Sequence, residues 1–414
     1  MNAWPTSLVA TARRLGIVSP DEPVLLGAPP LSESEQLAIG CATSELLKLI
    51  CSLPRRYKGN DPEAYMRYIG FSPAAGEILR NFGDPDDGNV FARADMVRDS
   101  LGRWRMIEMN IGSSVGGMFY SSLPRLAGLS QKRDVLEQWA RHVTCHHLGN
   151  EVDHVAFVED PALIDALRYQ LGASAAELQR ISGRRCLVAS ADEFRWDGRE
   201  LYLPSGPIDC IYATFTEADM ERCPNIYAPI MEAYRHKRIT MPMGLACNLV
   251  NNKGVLALLW DLVDDGLLNE AEANLVKCWI PETRWITTAQ LDRLLRDRHQ
   301  WVVKPIDGAC GRDVLCGIDY PLPKWEEHIR QILQEPAHSF VAQRFHAPEV
   351  RDVAVGFGEE LDSVQVELAR IVWGVFVYGT HYLGCLVRSK PLDGVAVINH
   401  ATGALVGPLA PSEG

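Results

Sequence analysis

The sequence of 414 residues predicts an α+β fold with a mostly helical N-terminal region and a small three-layer α/β domain in its middle. Three observations support this prediction. Helical periodicity dominates the first ninety residues, two alternating strands follow with a turn between them, and helices then alternate with short buried strands. We therefore divide the chain into a helical region (1–90), a hairpin part (91–130), an α/β domain (131–240) and C-terminal lobes (241–414).

Composition narrows the class of protein. Apolar residues make up 47% of the chain, enough to build two or three domains. The net charge of -12 argues against a broad surface for nucleic acid or an anionic membrane. Eleven cysteines without a C-x-x-C pair indicate reduced thiols in the cytoplasm, and we find neither a signal-peptide pattern nor an apolar run of about 18 residues. We expect a globular chain of ordinary enzyme size in the cytoplasm, and the oligomeric state cannot be read from the sequence.

The N-terminal region contains local signals for helices. Ser32 and Glu35 have the spacing of a capping box, and a second helix is expected from Asp61-Pro62. The stretch from Asp84 to Asn89 reads as a loop that leads into the hairpin. The apolar positions of the first helix are Leu37, Ala38, Ala42, Leu46, Leu47 and Ile50.

The hairpin that follows carries four polar side chains on two strands. Arg93 and Asp95 are two residues apart, as are Glu108 and Asn110, so each pair shares one face of its strand. The turn signal between them is Ser100-Leu101-Gly102-Arg103.

The register of this hairpin decides whether the four groups meet. With Leu101 and Gly102 as a two-residue loop, Asp95 lies opposite Glu108 and Arg93 lies opposite Asn110. A one-residue slip, such as a bulge at Gly102, would set Asp95 opposite Ile107 instead.

Together the four groups suggest a metal and phosphate site. Carboxylates and an amide oxygen are ligands that hold Mg²⁺ when the phosphates of a nucleotide complete its coordination. The alternative is an ordinary surface hairpin, which is favoured for any one of these residues alone. The small-residue segment Ile111–Gly117 comes next and allows a backbone to approach a ligand closely.

The α/β domain is predicted from short buried strands and an intervening helix. It lacks a G-x-G-x-x-G motif after a strand, so no dinucleotide site is predicted. The adjacent residues Cys145-His146-His147 point in different directions on a helix and have no second cluster, so we do not predict zinc there. The predicted elements are strands at 155–158, 185–189 and 208–212, a helix at 161–171, and a hairpin at 195–203 that turns at Asp197-Gly198.

Two lysines and a glycine loop in the C-terminal region suggest phosphate binding. Lys253 precedes a helical run that begins at Gly254, and Lys304 emerges at the end of a buried strand. Gly308 and Gly311 then allow a loop whose backbone N–H groups fold over phosphates. This is not a P-loop, because no G-K-[ST] opens a helix.

The last strands supply two further candidates. The segment Gln343-Arg344-Phe345 ends a strand with a polar edge that is suited to pairing with an adenine ring. Strands are predicted at 369–377 and 382–388 with Gly379 near the turn, and Arg388 closes the second of them. A guanidinium there suits the charge of a transferring phosphoryl group.

These motifs taken together resemble the ATP-grasp superfamily. The shared patterns are R-x-D before E-x-N, N-K ahead of a Leu-rich helix, K-P with a glycine loop, and a late strand that ends in arginine. In the common order of that superfamily the lysine strand precedes the E-x-N hairpin. Here Glu108-Met109-Asn110 comes about two hundred residues before Lys304, which resembles the circularly permuted branch typified by the synthetase domain of glutathionylspermidine synthase.

The resemblance implies a role for each candidate. It implies the cofactors ATP and Mg²⁺, and an α/β region similar to a pre-ATP-grasp domain. The glycine loop Asp307–Arg312 lacks the basic-acidic-Gly run of the family, and Ile-Gly-Ser-Ser follows Asn110 where that synthase has an acidic, Thr-Pro-containing stretch. The implied assignments are Asp95, Glu108 and Asn110 for Mg²⁺, Lys253 and Lys304 for ATP phosphates, Gly308 to Gly311 for a lid, Gln343, Arg344 and Phe345 for adenine, and Arg93 and Arg388 for the transferring phosphate.

The function implied is an ATP-dependent carboxylate–amine ligase that forms an amide or peptide bond through an acyl phosphate, with ADP and phosphate as products. Its substrates would be small molecules such as amino acids, peptides or polyamines. The sequence leaves two alternatives to a ligase open: a small-molecule phosphotransferase that uses the same ATP site, and a non-catalytic nucleotide-binding regulatory protein.

Overall fold

A computed structural model describes residues 3–5, 7–18, 22–28, 30–85, 88–308, 313–357, 363–399 and 402–410. Its N-terminal helix signals are confirmed where the sequence predicts them. The Ser32 hydroxyl accepts a hydrogen bond from the Glu35 N–H, and the Glu35 carboxylate accepts one from the Ser32 N–H, so both halves of the capping box form. A short strand also lies in this region and pairs with the main sheet. The elements are α1 (Ser7–Arg14), β1 (Val24–Gly27), α2 (Glu33–Arg56), α3 (Pro62–Ile69) and α4 (Pro73–Leu79).

One stretch, Glu33–Gly59, is long and apolar enough to cross a membrane by length and composition alone. However, 67% of its most apolar window is buried inside the protein. Leu46, Leu47 and Ile50 of α2 belong to the large core against the main sheet. The stretch therefore serves as a core helix of this fold.

The hairpin and the α/β domain follow. The hairpin consists of β2 (Phe91–Arg98) and β3 (Trp104–Ile111). In the next domain β4 is the central strand of a parallel three-stranded sheet, and the predicted small hairpin forms with Gly198 at a positive φ. Its elements, after α5 (Met118–Leu126), are α6 (Val135–His147), β4 (His154–Glu159), α7 (Ile164–Ser182), β5 (Arg185–Ser190), β6 (Arg195–Trp196), β7 (Leu201–Leu203), β8 (Gly206–Pro207), β9 (Cys210–Ala213), α8 (Glu217–Arg222) and α9 (Pro224–Arg235).

The C-terminal region contains a small four-stranded sheet and the remaining strands of the main sheet. The small sheet has the order β10-β13-β11-β12 and its own apolar core around Trp301 and Trp325. The elements are α10 (Gly254–Asp264), α11 (Glu270–Trp279), β10 (Thr283–Trp285), α12 (Leu291–Arg296), β11 (Trp301–Pro305), β12 (Leu315–Cys316), α13 (Leu322–Ile332), β13 (Phe340–Arg344), β14 (Val350–Phe357), β15 (Ser363–Tyr378), β16 (His381–Pro391) and β17 (Leu405–Pro408).

The main sheet joins distant parts of the chain. Its strands run β1-β14-β15-β16-β17, and the β2–β3 hairpin pairs with the C-terminal half of β15. Alternate residues of β15 enter different cores, with Val375 and Val377 on the side of α2 and Phe376 and Tyr378 on the side of α6. Gly374 lies opposite Asp95 and Phe376 opposite Arg93, so the polar hairpin face lies on the α6 side.

Candidate active site

The hairpin register brings the predicted polar groups together by an unexpected route. Asp95 lies opposite Glu108 and Arg93 opposite Asn110, as predicted. The turn is one residue longer than predicted, because Asp99 pairs with Arg103 and Gly102 has a φ of 75°. A bulge then restores the register, since Met96 lies opposite Met106 and Ile107 is the extra residue.

Asp95 is the centre of a buried ion cluster. Its carboxylate accepts hydrogen bonds from Arg93 Nε at 2.8 Å and from Arg388 Nη1 at 2.7 Å, and all three side chains are buried. Burial by itself would raise the pKa of the Asp95 carboxyl, but the guanidinium groups of Arg388 and Arg93 outweigh it and lower the pKa to about 2. Asp95 is therefore ionised at neutral pH.

Gly374 makes room for this cluster. A Cβ at this position would lie 3.0 Å from Arg93 Cδ and 2.8 Å from both Leu386 Cγ and Leu386 Cδ1. A side chain here would therefore push Arg93 away from Asp95. The Arg93 Nη1 also donates to the Gly116 carbonyl at 2.7 Å, which ties the cluster to the predicted small-residue segment.

Lys253 connects the hairpin to the loop after β11. Its Nζ lies 3.2 Å from Glu108 Oε1 and donates to the Gly308 carbonyl. Its backbone N–H donates to the Ile306 carbonyl at 3.0 Å. Lys253 and Gly308 thus belong to the same site as Glu108, whereas Gly311 and Arg312 lie outside the described residues.

Lys304 is buried behind this site. Its Nζ donates to the Ile107 carbonyl at 2.9 Å and to Gln343 Oε1 at 2.8 Å. Burial lowers the pKa of Lys304 to about 8, although the nearby Glu108 carboxylate acts in the opposite direction. The bulge at Ile107 thus supplies the carbonyl that holds this ammonium group.

The structure does not bring Gln343, Arg344 and Phe345 to the cleft described below. Their segment is not a sheet edge, because β13 lies between β10 and β11. The Arg344 N–H donates to the Glu282 carbonyl and the Phe345 N–H to the Gln300 carbonyl, both at 2.8 Å. These two N–H groups are therefore already hydrogen-bonded within the protein. The expectation of a free polar edge was wrong. The adenine role of the segment stays a prediction.

A cleft of about 1150 Å³ opens in front of the ion cluster. Seven of the predicted site residues line it: Arg93, Asp95, Glu108, Asn110, Lys253, Gly308 and Arg388. Its volume is enough for a ligand of nucleotide size together with a small molecule.

Two carboxylate residues of the α/β region, Glu159 and Glu217, also line the cleft, and sequence reasoning missed them. Glu159 ends β4, and Glu217 begins α8 shortly after β9. Burial raises the pKa of both carboxyl groups, against hydrogen bonds from the Asp160 N–H to Glu159 and from the Asn248 amide to Glu217. The available signal was their position after parallel strands, where ligands commonly bind.

The predicted metal ligands have suitable chemistry for a hard cation. Asp95, Glu108 and Asn110 supply oxygen donors, and the Nδ2 atom of Asn110 is buried without a hydrogen-bond partner. Both carboxylates, however, contact protein cations. Among the described residues no three His, Cys, Asp or Glu side chains form a ready metal cluster. The residues fit a cation that arrives together with a group able to draw off the arginines and the lysine.

Solved structures of other proteins resemble this chain in fold. No protein-family profile and no curated protein matches the chain. Among solved structures, a glutathione synthetase like-effector from Globodera pallida in its apoform covers 100% of both chains with a TM-score of 0.55 and 12% identity. A putative gamma-glutamylcysteine synthetase from Methylobacillus flagellatus covers 92% of this chain and 88% of its own, with a TM-score of 0.47 and 13% identity.

A D-cycloserine synthetase covers 62% of this chain and 75% of its own, with a TM-score of 0.33 and 16% identity. The full-length likeness to the Globodera pallida effector shows a shared fold. The chain has a mixed α/β architecture with several sheets.

Proposed function

We propose that this protein is an ATP-dependent carboxylate–amine ligase with a circularly permuted ATP-grasp fold, similar to the synthetase domain of glutathionylspermidine synthase. One observation carries the proposal. Arg93, Asp95 and Arg388 form a buried cluster beside the Glu108–Lys253 pair, and all five side chains line one cleft. Such a concentration of basic groups and carboxylates suits a polyphosphate with its divalent cation.

The arrangement of strands supports the permutation. The hairpin at residues 91–111 precedes Lys304 by about two hundred positions in the sequence, yet it pairs with β15 next to Arg388 on β16. The site is therefore continuous in space although its parts follow an inverted order in the chain.

The polar residues in and behind the ion cluster would act on the nucleotide. Lys253 and Lys304 would bind its phosphates, and Asp95, Glu108 and Asn110 would hold Mg²⁺, which neutralises phosphate charge when bound. Arg93 and Arg388 would orient the γ-phosphoryl group toward the substrate carboxylate.

The proposed reaction has two steps. A carboxylate oxygen of the first substrate attacks the γ-phosphorus and ADP leaves, which forms an acyl phosphate. The amine nitrogen of the second substrate then attacks the acyl carbon, phosphate leaves, and the nitrogen loses a proton to form the amide. Glu159 and Glu217 line the same cleft and would bind the ammonium form of the amine; one of these carboxylates would take its proton, so that the neutral amine attacks.

The test is a screen of ADP release with ATP and Mg²⁺ against amino acids, small peptides and polyamines. A ligase releases ADP only when a carboxylate and an amine are both present, and mass spectrometry detects the amide. A phosphotransferase needs one acceptor, and a regulatory protein binds ATP without turnover.

Two variants sharpen the test. Glu108→Gln should abolish turnover while circular dichroism shows an intact fold. Glu33→Gln, a matched change in an exposed ion pair with Lys132, should leave turnover unchanged. Near-normal turnover of Glu108→Gln would refute the assigned role of Glu108.

A further inference from the structure

Three histidines from distant parts of the chain meet at the surface where α6 packs beside the turn between β15 and β16. His142 and His146 are four residues apart on α6, and their ring centroids lie 5.7 Å apart. The ring centroid of His381, the first residue of β16, lies 4.9 Å from that of His142. We call these three residues the histidine cluster. The cleft is lined by other residues, so the cluster lies outside the proposed catalytic site.

The ring nitrogens of the histidine cluster make no hydrogen bond within the part of the chain that the structure describes. The neighbouring His147 differs, because its Nε2 lies 2.6 Å from the Tyr378 hydroxyl and 3.1 Å from the Asn89 carbonyl oxygen. Carboxylates likewise approach other imidazoles among the described residues, namely those of His154, His236 and His346. The nitrogens of the histidine cluster therefore keep their lone pairs available for a ligand.

The protonation state of His142 suits a metal ligand. Burial lowers the pKa of His142 to about 4, and the imidazoles of His381 and His146 act in the same direction. His142 is therefore neutral at pH 7. A metal ion that binds there does not have to displace a proton from this ring.

The two elements that carry the histidine cluster are held firmly. In α6 the buried Trp139 donates a hydrogen bond from Nε1 to the Tyr212 hydroxyl at 3.1 Å. In the β15–β16 turn Gly379 has a φ of 52°, and its N–H donates to the Val90 carbonyl at 2.8 Å. A Cβ at Gly379 would collide with the Gly88 carbonyl, so the turn requires glycine. The backbone positions of the three histidines are therefore fixed relative to one another.

The spacing of the rings suits a shared metal ion. Two imidazoles on a tetrahedral Zn²⁺, with Zn–N bonds of about 2.1 Å, have ring centroids about 5 Å apart. Histidines at positions i and i+4 of a helix can bind one ion together. In the described residues no three such side chains yet converge on one point, because the rings of His142 and His146 stack with planes 13° apart. His146 and His381 are exposed, so we expect their side chains to rotate toward a bound ion.

We propose that His142, His146 and His381 form a binding site for one Zn²⁺ ion, which ties α6 to the β15–β16 turn. Imidazole nitrogen is a preferred ligand of Zn²⁺, whereas Mg²⁺ prefers oxygen. The C-terminal half of β15 pairs with β2 of the hairpin, so an ion at this turn stabilises the part of the main sheet that carries Asp95. The inference goes beyond the proposed ligase function and does not depend on it.

The experiment titrates Zn²⁺ into the full-length protein at neutral pH by calorimetry. The protein carries no polyhistidine tag, and excess Mg²⁺ occupies oxygen-rich sites. His146→Gln and His381→Gln, both at exposed positions, should each weaken Zn²⁺ binding at least about tenfold. The matched control is His236→Gln, which removes an exposed imidazole beside Glu232 and should leave Zn²⁺ affinity unchanged.

Thermal unfolding provides a second measurement. Zn²⁺ should raise the Tm of the wild type and of the His236→Gln control, and it should raise the Tm of His381→Gln much less. Circular dichroism checks that each variant is folded.

Three results would overturn the proposal. The first is a wild-type protein that binds no Zn²⁺, or that binds it no more tightly than His146→Gln. The second is undiminished binding by His381→Gln, because α6 alone would then hold the ion. The third is loss of binding in Cys145→Ser, because a thiolate would then be a ligand in place of an imidazole.

Discussion

Asp95 lies opposite Glu108 in the β2–β3 hairpin although the turn that joins the two strands is one residue longer than the expected two-residue loop. The bulge at Ile107 compensates for the longer turn. It also leaves the Ile107 carbonyl 2.9 Å from Lys304 Nζ. One local irregularity therefore restores the pairing of the carboxylates and anchors a lysine from a distant strand.

Replacing Asp95 should destabilise the protein strongly. Asp95→Asn leaves Arg93 and Arg388 buried without a carboxylate between them. Removing one partner of a buried ion pair typically lowers the free energy of unfolding by about 3 to 5 kcal/mol. Urea unfolding at neutral pH without ligands measures this loss.

The control for that prediction is Glu33→Gln on the surface. Glu33 pairs with Lys132 and Arg133 on the surface, where solvent and salt screen an ion pair, so its loss should change the free energy of unfolding little. If Asp95→Asn lowers the free energy of unfolding as little as Glu33→Gln does, the buried ion cluster does not stabilise the fold as argued.

Low pH should remove the stabilisation that the ionised Asp95 carboxylate gives to the folded protein. The pKa of Asp95 is about 2 in the folded protein, below the value of about 3.9 for an unfolded aspartate. The stabilisation is therefore complete above about pH 4 and is lost as the pH falls toward 2. The difference in the free energy of unfolding between wild type and Asp95→Asn should become smaller over that pH range. A constant difference would contradict the role of the Asp95 charge in stability.

A methyl group at position 374 should disturb the site from the neighbouring strand, on the same face of the sheet. In Gly374→Ala the new Cβ would lie 3.0 Å from Arg93 Cδ and 2.8 Å from Leu386. Overpacking of this kind lowers the free energy of unfolding by about 1 to 3 kcal/mol, and displaced Arg93 should weaken AMP-PNP binding. Urea unfolding and calorimetry measure the two effects.

Gly172→Ala is the matched control. Gly172 lies inside α7, and a Cβ there would meet nothing within 4 Å. This change should raise the free energy of unfolding by about 0.5 to 1 kcal/mol, because alanine favours the helix. Equal effects at both glycines would contradict the packing argument.

Nucleotide binding should take up a proton in mildly alkaline solution. The pKa of Lys304 is about 8 without ligand, so part of the population is neutral at pH 8.5. A bound polyphosphate favours the ammonium form and raises this pKa, so AMP-PNP binding then protonates Lys304. Calorimetry in buffers of different ionisation enthalpy measures the uptake.

The variant Lys304→Met provides the comparison. This variant should still bind AMP-PNP through Lys253 and the arginines, but with lower affinity than wild type. Its proton uptake on AMP-PNP binding at pH 8.5 should be smaller. Equal uptake by wild type and variant would assign the proton to another group.

Local features of the fold could be predicted from the sequence. The capping box at Ser32 and Glu35 forms, Lys253 precedes a helix from Gly254, and the three strands of the middle domain are parallel neighbours. These features depend on residues a few positions apart, or on a short connection with one favourable handedness. The strand β1 was missed because a four-residue apolar strand has no period of its own.

The hairpin part of the site follows from the alternation of side chains along a strand, and the rest of the site depends on tertiary contacts. Parity places Arg93 with Asp95 and Glu108 with Asn110 whichever turn joins the strands. No local pattern indicates that the strand Phe340–Arg344 has a neighbouring strand on both sides, or that Glu159 and Glu217 line the same cleft as the hairpin. Those relationships join elements that are far apart in the sequence.

The order of the amino acids is enough to predict which residues share one element: the face of each hairpin strand, the start of each capped helix and the lysine at the end of a buried strand. The charge state and the partners of these groups depend instead on how distant elements pack together. Arg388 meets Asp95 across 293 positions, and Lys304 is buried against Ile107 across 197 positions. Burial and pairing set the pKa of an ionisable group, and both depend on surroundings that the rest of the chain supplies.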